Sequence, residues 1–297
     1  MHSHNNSFGI DFFKIPRTVC RLGDFAPLCL ERRDFVKYFA VSDLHGYLTP
    51  LRTALEATGF FDEQENYRLV VCGDVLDRGG EAEALVDFLL DVQARGQLIY
   101  VLGNHEELLV QCLSDVLEDD VYKIASGLSH HYRNGTWNTL LQLSGMCEGD
   151  AIANPRALVR RVKQSRFWRE LAPHCIDWYE TEHYVFCHGW IPTNVKGQKP
   201  AETYHYRADW READANDWWR ARWLNGMEMA CRHGVTEPDK TIVCGHWHTS
   251  YGHAVFEKKG TERGVKADFS PFLAKGILAI DGCTHASGRV NCVVLED

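Results

Sequence analysis

FVKYFAVSDLHG (residues 35–46), RLVVCGDVLDRG (68–79) and QLIYVLGNHE (97–106) share one plan: an apolar run that stops abruptly at small and charged residues. Short runs rich in Val, Ile, Leu and aromatics, bounded by polar turns, mark buried strands. Helical patterns lie between them. Thr49 and Pro50 offer an N-cap and an N1 proline, with Leu51 and Leu55 on one face. Leu85, Phe88, Leu89 and Val92 form an i, i+3, i+4, i+7 stripe, as do Leu109, Cys112, Leu113 and Val116. Strands alternating with helices predict βαβ units and a largely parallel sheet, an α/β fold.

Beyond these blocks, residues from about 120 to 180 read as helical and polar-rich, an insertion packed beside the sheet. HYVFCHGW (183–190), TIVCGHWHTS (241–250) and ILAIDGCTHASGRVNCVVLED (277–297) return to strands. The last reads as two strands around a turn at Ser287-Gly288. Residues 1–34 are aperiodic and are expected to form an N-terminal arm, leaving residues 35–297 as one domain.

Composition bounds the function. Of 297 residues, 45% are hydrophobic and 25% charged, the balance of a globular chain. Lys plus Arg number 32 against 41 Asp plus Glu, a formal charge of −9, which does not suit a general binder of duplex nucleic acid. The eleven cysteines include no C-x-x-C pair, and Cys72, Cys187 and Cys244 end apolar runs, where a free thiol behaves as a small hydrophobe. The N-terminus shows no apolar leader, and no window reaches 18 apolar residues. A reduced, cytoplasmic protein without a membrane partner is the expectation.

The chemistry lies where the strands stop. Asp43 and His45 follow the first, Asp74 and Asp77 the second, Asn104 and His105 the third, His188 the fourth, and His246 and His248 the fifth. In an open α/β sheet, groups just past the carboxyl ends of strands converge on one crevice. Oxygen and nitrogen donors without thiolates suit Mn, Fe or Zn in a reactive site better than a Cys-rich structural zinc. The donors exceed what one ion can use, so two divalent metal ions are expected, with Mn preferred. Asp-x-His alone is usually no more than a capped turn; three such blocks in order, each after a strand, are much harder to dismiss.

Asp43-Leu-His45-Gly46, Gly73-Asp74-Val-Leu-Asp77-Arg78-Gly79 and Gly103-Asn104-His105-Glu106 resemble the signature blocks of the phosphoprotein phosphatases, within the calcineurin-like metallophosphoesterases. Their spacing agrees: 31 residues from Asp43 to Asp74 and 30 from Asp74 to Asn104. His188-Gly189 and Gly245-His246 resemble later blocks of that group, and Asn134-Gly135 with Thr139-Leu140 are weaker echoes. The compact length looks most like bacterial or phage serine/threonine phosphatases and symmetrical dinucleoside tetraphosphatases.

The resemblance implies the fold of that group, with central mixed sheets flanked by helices. It further implies that Asp43 and His45 hold one metal, that Asp74 bridges, and that Asn104, His188 and His246 complete the second site. Attack on phosphorus would come from a metal-bound hydroxide. His105, paired with Asp77, would protonate the leaving oxygen, and Arg78 would clamp phosphoryl oxygens. A second phosphate-binding arginine is expected at Arg220, with Arg222 a rival. His248 is an extra metal ligand or a phosphate contact. Trp190 stands where the group usually has a small residue. Five of the nine tryptophans fall between residues 190 and 223, as core packing or as a wall that stacks a base.

The expected function is therefore a phosphomonoesterase of the serine/threonine type, acting on phosphoprotein or a small phosphoester. Hydrolysis of dinucleoside polyphosphates is the alternative. A non-catalytic binding protein on the same fold would show eroded donors, and here every block keeps its own.

Overall fold

The computed structural model describes residues 35–118, 120–198 and 201–297; the arm expected over 1–34 lies outside them. The described chain begins with strict alternation. Strand β1 (Lys37–Val41) leads to helix α1 (Leu48–Ala57), β2 (Tyr67–Cys72) to α2 (Ala82–Ala94), and β3 (Leu98–Val101) to α3 (Asn104–Glu118). A run of helices follows: α4 (Val121–Ile124), α5 (His130–Asn134), α6 (Thr136–Ser144), α7 (Glu148–Ala153) and α8 (Pro155–Val162), then a π-helical turn at Phe167–Leu171. Next come β4 (Cys175–Ile176), β5 (Tyr179–Glu180), β6 (Tyr184–Phe186), a small hairpin of β7 (Asn194–Lys196) and β8 (Thr203–His205), and helices α9 (Ala215–Ala221) and α10 (Gly226–Cys231). The order closes with β9 (Thr241–Cys244), α11 (Thr249–Val255), β10 (Phe272–Ala274), β11 (Ile277–Ala279), α12 (Thr284–Ser287) and β12 (Val293–Glu296).

One largely parallel sheet is what the strand–helix pattern predicts; besides the β7–β8 hairpin, the described residues form two sheets, each five-stranded. The first has the order β12-β1-β2-β3-β4 and the second β10-β11-β9-β6-β5. Strands β1 to β4 are parallel, with β12 antiparallel on β1. In the second sheet β11, β9 and β6 are parallel, and the edge strands β10 and β5 antiparallel. Alternation along each strand explains the sandwich. Tyr38, Ala40, Val70, Cys72 and Val101 of the first sheet share a core with Phe186, Val243, Leu278 and Ile280 of the second. The intervening residues Phe39, Val41, Leu69 and Val71 pack instead against Leu51, Leu85, Leu89 and Leu109 of the helices. Val185, Ile242 and Ile277 turn outward to Met227 and Trp218. A strand apolar on both faces does not reveal whether a helix or a second sheet covers each face.

Three local expectations change. Thr49 is not an N-cap: α1 starts at Leu48, and Thr49 bonds Glu81 through both its amide and its hydroxyl. The stretch expected to be helical to about residue 180 ends in two short strands, β4 and β5. The final segment is not a paired unit around Ser287-Gly288, because β11 and β12 belong to different sheets and α12 separates them. Among the described residues, no helix is long and apolar enough to cross a membrane.

Candidate metal centre

Asp74 stands at the centre. Its turn leaves β2 with a left-handed backbone (φ 54°), which aims the carboxylate across the strand ends. Oδ1 accepts the His105 amide at 2.9 Å and lies 3.3 Å from His188 Nε2. Oδ2 lies 3.8 Å from Nε2 of both His45 and His105. Two clusters of possible ligand atoms thus share Asp74: His45, Asp74 and His105, and Asp74, His188 and His246. Asp43 joins the first, with Oδ1 3.8 Å from His45 Nε2, and Asn104 joins the second, with Oδ1 2.8 Å from His188 Nε2. All seven are buried except His246, which is partly so.

The fold sets the imidazoles before any ion arrives. His45 Nδ1 donates to the Leu76 carbonyl at 3.1 Å and His188 Nδ1 to the Cys72 carbonyl at 2.7 Å, turning both Nε2 atoms toward Asp74. Backbone bonding from Trp223 engages the His246 ring, while its amide donates to Asp43 Oδ2 at 2.9 Å. A buried backbone partner on the far nitrogen is the usual way a ligating histidine is oriented. Gly245 precedes His246 without room for a side chain, since a Cβ there would run into Ser42 and Asp43.

Electrostatics say what is wanted. Burial, reinforced by neighbouring carboxylate charge, pushes Asp43 up to about 6 and Asp281 to about 8. Burial opposes a charge on His188, yet Asp74 and Asp43 drive it up to about 10. Burial, then the charges on Arg78 and His188 respectively, keep His45 well below its ordinary value and His246 down at about 3. Against burial, the neighbouring imidazoles hold the Asp74 carboxylate well below its ordinary value, while Asp43 resists ionising and His45 and His246 stay neutral, a donor set to which added positive charge is suited. The oxygen and nitrogen donors fit divalent cations.

His105 and Asp77 form a second unit. His105 Nδ1 bonds Asp77 Oδ2 at 2.7 Å. Burial acts to lower His105, but Asp74 and the Asp77 bond outweigh it and leave its pKa raised. The Asp77 carboxylate is fully buried and accepts the hydroxyls of Thr136 at 2.7 Å and Thr139 at 2.8 Å. Those two residues come from the first turns of α6, so the helical insertion orients the pair. Arg78 crosses above, 2.6 Å from His45 Nε2 and 3.2 Å from His105 Nε2. Gly135 (φ 86°) lets α6 approach, because a side chain there would strike the Arg78 backbone.

Asp43, His45, Asp74, Asp77, Arg78 and His246 all have positive φ. Asp and His tolerate this region, whereas for Arg78 it is strained.

Two expected contacts lie apart from the clusters. Arg220 lies exposed on α9, and its rival Arg222 is buried between Glu107 (Nε to Oε1 3.0 Å) and Asp177 (2.8 Å). Carboxylates that lie within reach of a guanidinium satisfy it before any phosphate can. His248 joins neither cluster: its Nε2 bonds Glu262 at 3.1 Å and its ring stacks on Trp247. Trp190, Trp210 and Trp218 are core, while Trp223 is 39% exposed with its ring 5.8 Å from His246.

Sequence reasoning missed several supports. Glu106 accepts the amides of Asp74 (3.1 Å), Val75 (2.9 Å) and Gly103 (2.9 Å), bracing two turns with one carboxylate. The Thr136–Thr139 pair was signalled by its i, i+3 spacing after Asn134-Gly135. His285, exposed at the rim, reaches to 3.4 Å from Arg78, and the buried Asp281 caps the turn before it through the Cys283 amide. Asp281 directly follows the apolar run 277–280, the same signal that marked the other donors, and His285 comes four residues after Asp281.

Relatives agree in outline. The chain is 34% identical over 82 residues to Shewanella-like protein phosphatase 2 of Arabidopsis thaliana, covering 24% of this chain and 21% of the relative. It is 40% identical over 68 residues to the symmetrical bis(5'-nucleosyl)-tetraphosphatase of Pseudomonas syringae pv. syringae, covering 23% and 22%. The matched stretches thus span about a fifth of these relatives' length. Among solved structures, the cold-active protein-tyrosine phosphatase of a psychrophilic Shewanella species is 15% identical over 88% of this chain and 80% of that one, with a TM-score of 0.43. The profile of the calcineurin-like phosphoesterases matches residues 36–271, and the chain belongs to that family.

Proposed function

We propose that this protein is a metal-dependent phosphoester hydrolase whose substrates are phosphomonoesters of the serine/threonine type. The observation that carries the reading is the pair of buried donor clusters sharing Asp74, with Arg78 above them. Asp43 and His45 would hold one divalent ion, Asn104, His188 and His246 the other, and Asp74 both. Two such ions, when bound, supply an activated water and neutralise charge on phosphorus. The residues do the rest. Arg78 presents a planar fork that suits the oxygens of a terminal phosphate. His105, held by Asp77, is aimed to give its proton to the leaving oxygen, a contribution of about 10²–10⁴-fold.

Trp223 favours a second reading. A half-exposed indole beside His246 is a platform on which a base could stack, as a dinucleoside polyphosphate hydrolase would need. Among the described residues Arg222 is committed to Glu107 and Asp177, which weakens one support for the first reading; the lack of any Gly-rich phosphate loop in the sequence still favours it. The test is kcat/KM on a phosphothreonine peptide against dinucleoside tetraphosphate, after stripping metal and reloading with Mn, Fe or Zn. A preference for the nucleotide of about 100-fold, or roughly 2.7 kcal/mol of transition-state stabilisation, decides for the second reading. No hydrolysis of either with any metal overturns both.

A further inference from the structure

The chain is acidic overall, yet residues 155–169 (PRALVRRVKQSRFWR) carry six Lys or Arg and no Asp or Glu. Helix α8 opens this stretch, and it presents two faces. Ala157, Leu158 and Val162 are buried in the helical core. Arg156, Arg160, Lys163 and Gln164, at i, i+4, i+7 and i+8, line a groove of about 490 Å³ that touches the buried Val159 beneath and Leu117 at the end of α3 on its other side. Leu117 is 51% exposed, so the groove has an apolar edge under a cationic rim.

Several of these cations are engaged within the fold, Lys163 lying 5.8 Å from the Trp168 ring centre. Arg166 is paired with Asp87 and Glu170, and Arg161 reaches the Ser144 carbonyl. Arg156 and Arg160 are exposed and take part in no ion pair with a described residue. Basic groups in the last turn of a helix complement its dipole, which accounts for Arg160 and Lys163. Arg156 sits in the first turn, where a positive charge is disfavoured.

We propose that this groove docks an acidic segment of a protein partner, carboxylates on Arg156 and Arg160 and an apolar side chain against Leu117. A nucleic acid would want aromatic platforms, and none lines the groove. Position suggests what the docking is for. Asn104 and His105 open α3 and Leu117 nearly ends it, so the groove lies about 20 Å from the candidate centre at 1.5 Å per residue. About six residues of extended peptide cover that distance. An acidic tract that far from a phosphorylated residue could occupy groove and centre together; this use of the groove rests on the phosphoprotein reading above, while the docking itself does not.

The test has two arms. In the first, a fluorescent peptide with alternating Glu and Leu is titrated with the full chain, followed by anisotropy, alongside a scrambled-charge Lys/Leu peptide and a single-stranded oligonucleotide. The acidic peptide should bind, weaken with added salt, and lose about tenfold in affinity to Arg156→Glu/Arg160→Glu. Leu117→Ser should weaken it without changing the salt dependence. No binding, equal binding by the double variant, or tighter binding of the oligonucleotide overturns the proposal. In the second arm, phosphothreonine peptides with and without an acidic tract about six residues away are compared. The tract should raise kcat/KM through KM in the parent and not in the double variant, with turnover of p-nitrophenyl phosphate unchanged in both. Binding in the first arm with no turnover of any phosphopeptide would keep the groove and discard the phosphoprotein reading. Equal kcat/KM with and without the tract would discard the bipartite use of the groove.

Discussion

The two sheets contribute to the centre in unlike ways. From the turns after β1, β2 and β3 come Asp43, His45, Asp74, Asp77, Arg78, Asn104 and His105, within one continuous stretch of chain. From the second sheet come His188 and His246 singly, with Trp223, Asp281 and His285 around them. The first half is self-braced: Glu106 spans two of its turns, and the α6 threonines hold Asp77. The second half is hung on backbone carbonyls and opens to solvent at Trp223 and His285. On the function proposed above, reaction chemistry would be concentrated on the first sheet, and contact with the rest of the substrate on the second.

That division is tested most severely at the residue both halves share. Asp74→Asn should strip metal from both clusters and lower turnover by about 10³-fold, the size of losing a preorganised electrostatic element. Elemental analysis and steady-state rates on one preparation check this; retention of either ion at full occupancy would separate the clusters. Next, His105→Asn should slow hydrolysis of alkyl phosphates by about 10²–10⁴-fold while metal content stays. An aryl phosphate with a good leaving group should suffer far less, and equal losses would remove His105 from the acid role.

Smaller effects refine the contrast. Glu106→Gln points an N–H at backbone N–H groups in a buried setting. It should lower stability by about 1–3 kcal/mol in denaturant melts and weaken metal affinity by about 10–100-fold. His285→Ala, on the open half, should leave both unchanged. The smallest effect lies at the opposite end of the sheets. Asp297, after β12, accepts from Thr181 and from the His183 amide at 2.8 Å, fastening the first sheet to the β5–β6 turn. Burial alone would raise its pKa, but these bonds lower it below the ordinary 3.8. A depressed carboxylate stabilises the fold above its unfolded pKa, and the gain fades as pH falls through the folded value. Asp297→Asn should therefore melt earlier than the parent at pH 7, with the gap closing as pH falls below the ordinary carboxylate value of 3.8. A constant gap across that window would mean the effect is not ionic.

Legibility followed the same division. Strand ends and donors on the first sheet were readable because each apolar run stops directly at its polar block, as LVVC stops at Gly73-Asp74. His188 and His246 were readable for the same reason. The second sheet itself was not, since Phe39 and Ala40 are equally apolar although one meets a helix and the other a strand. Arg220 and Arg222 show the limit of spacing. Both lie near the right place in the chain, but one faces solvent and the other is committed to Glu107 and Asp177. A partner 115 residues away, such as Glu107 for Arg222, leaves no local trace.

The left-handed backbone at Asp43, His45, Asp74, Asp77, Arg78 and His246 has a consequence for selection. Glycine would relax each of these turns and, at the three aspartates, also remove a buried carboxylate. A library of this chain sorted only for heat resistance, without metal, should therefore accumulate glycine at Arg78 first and least at Asp77, whose carboxylate holds Thr136, Thr139 and His105. The same library sorted for phosphate release should keep them all. Where the two sorts diverge along the chain, they would draw the outline of the centre without any structure in hand.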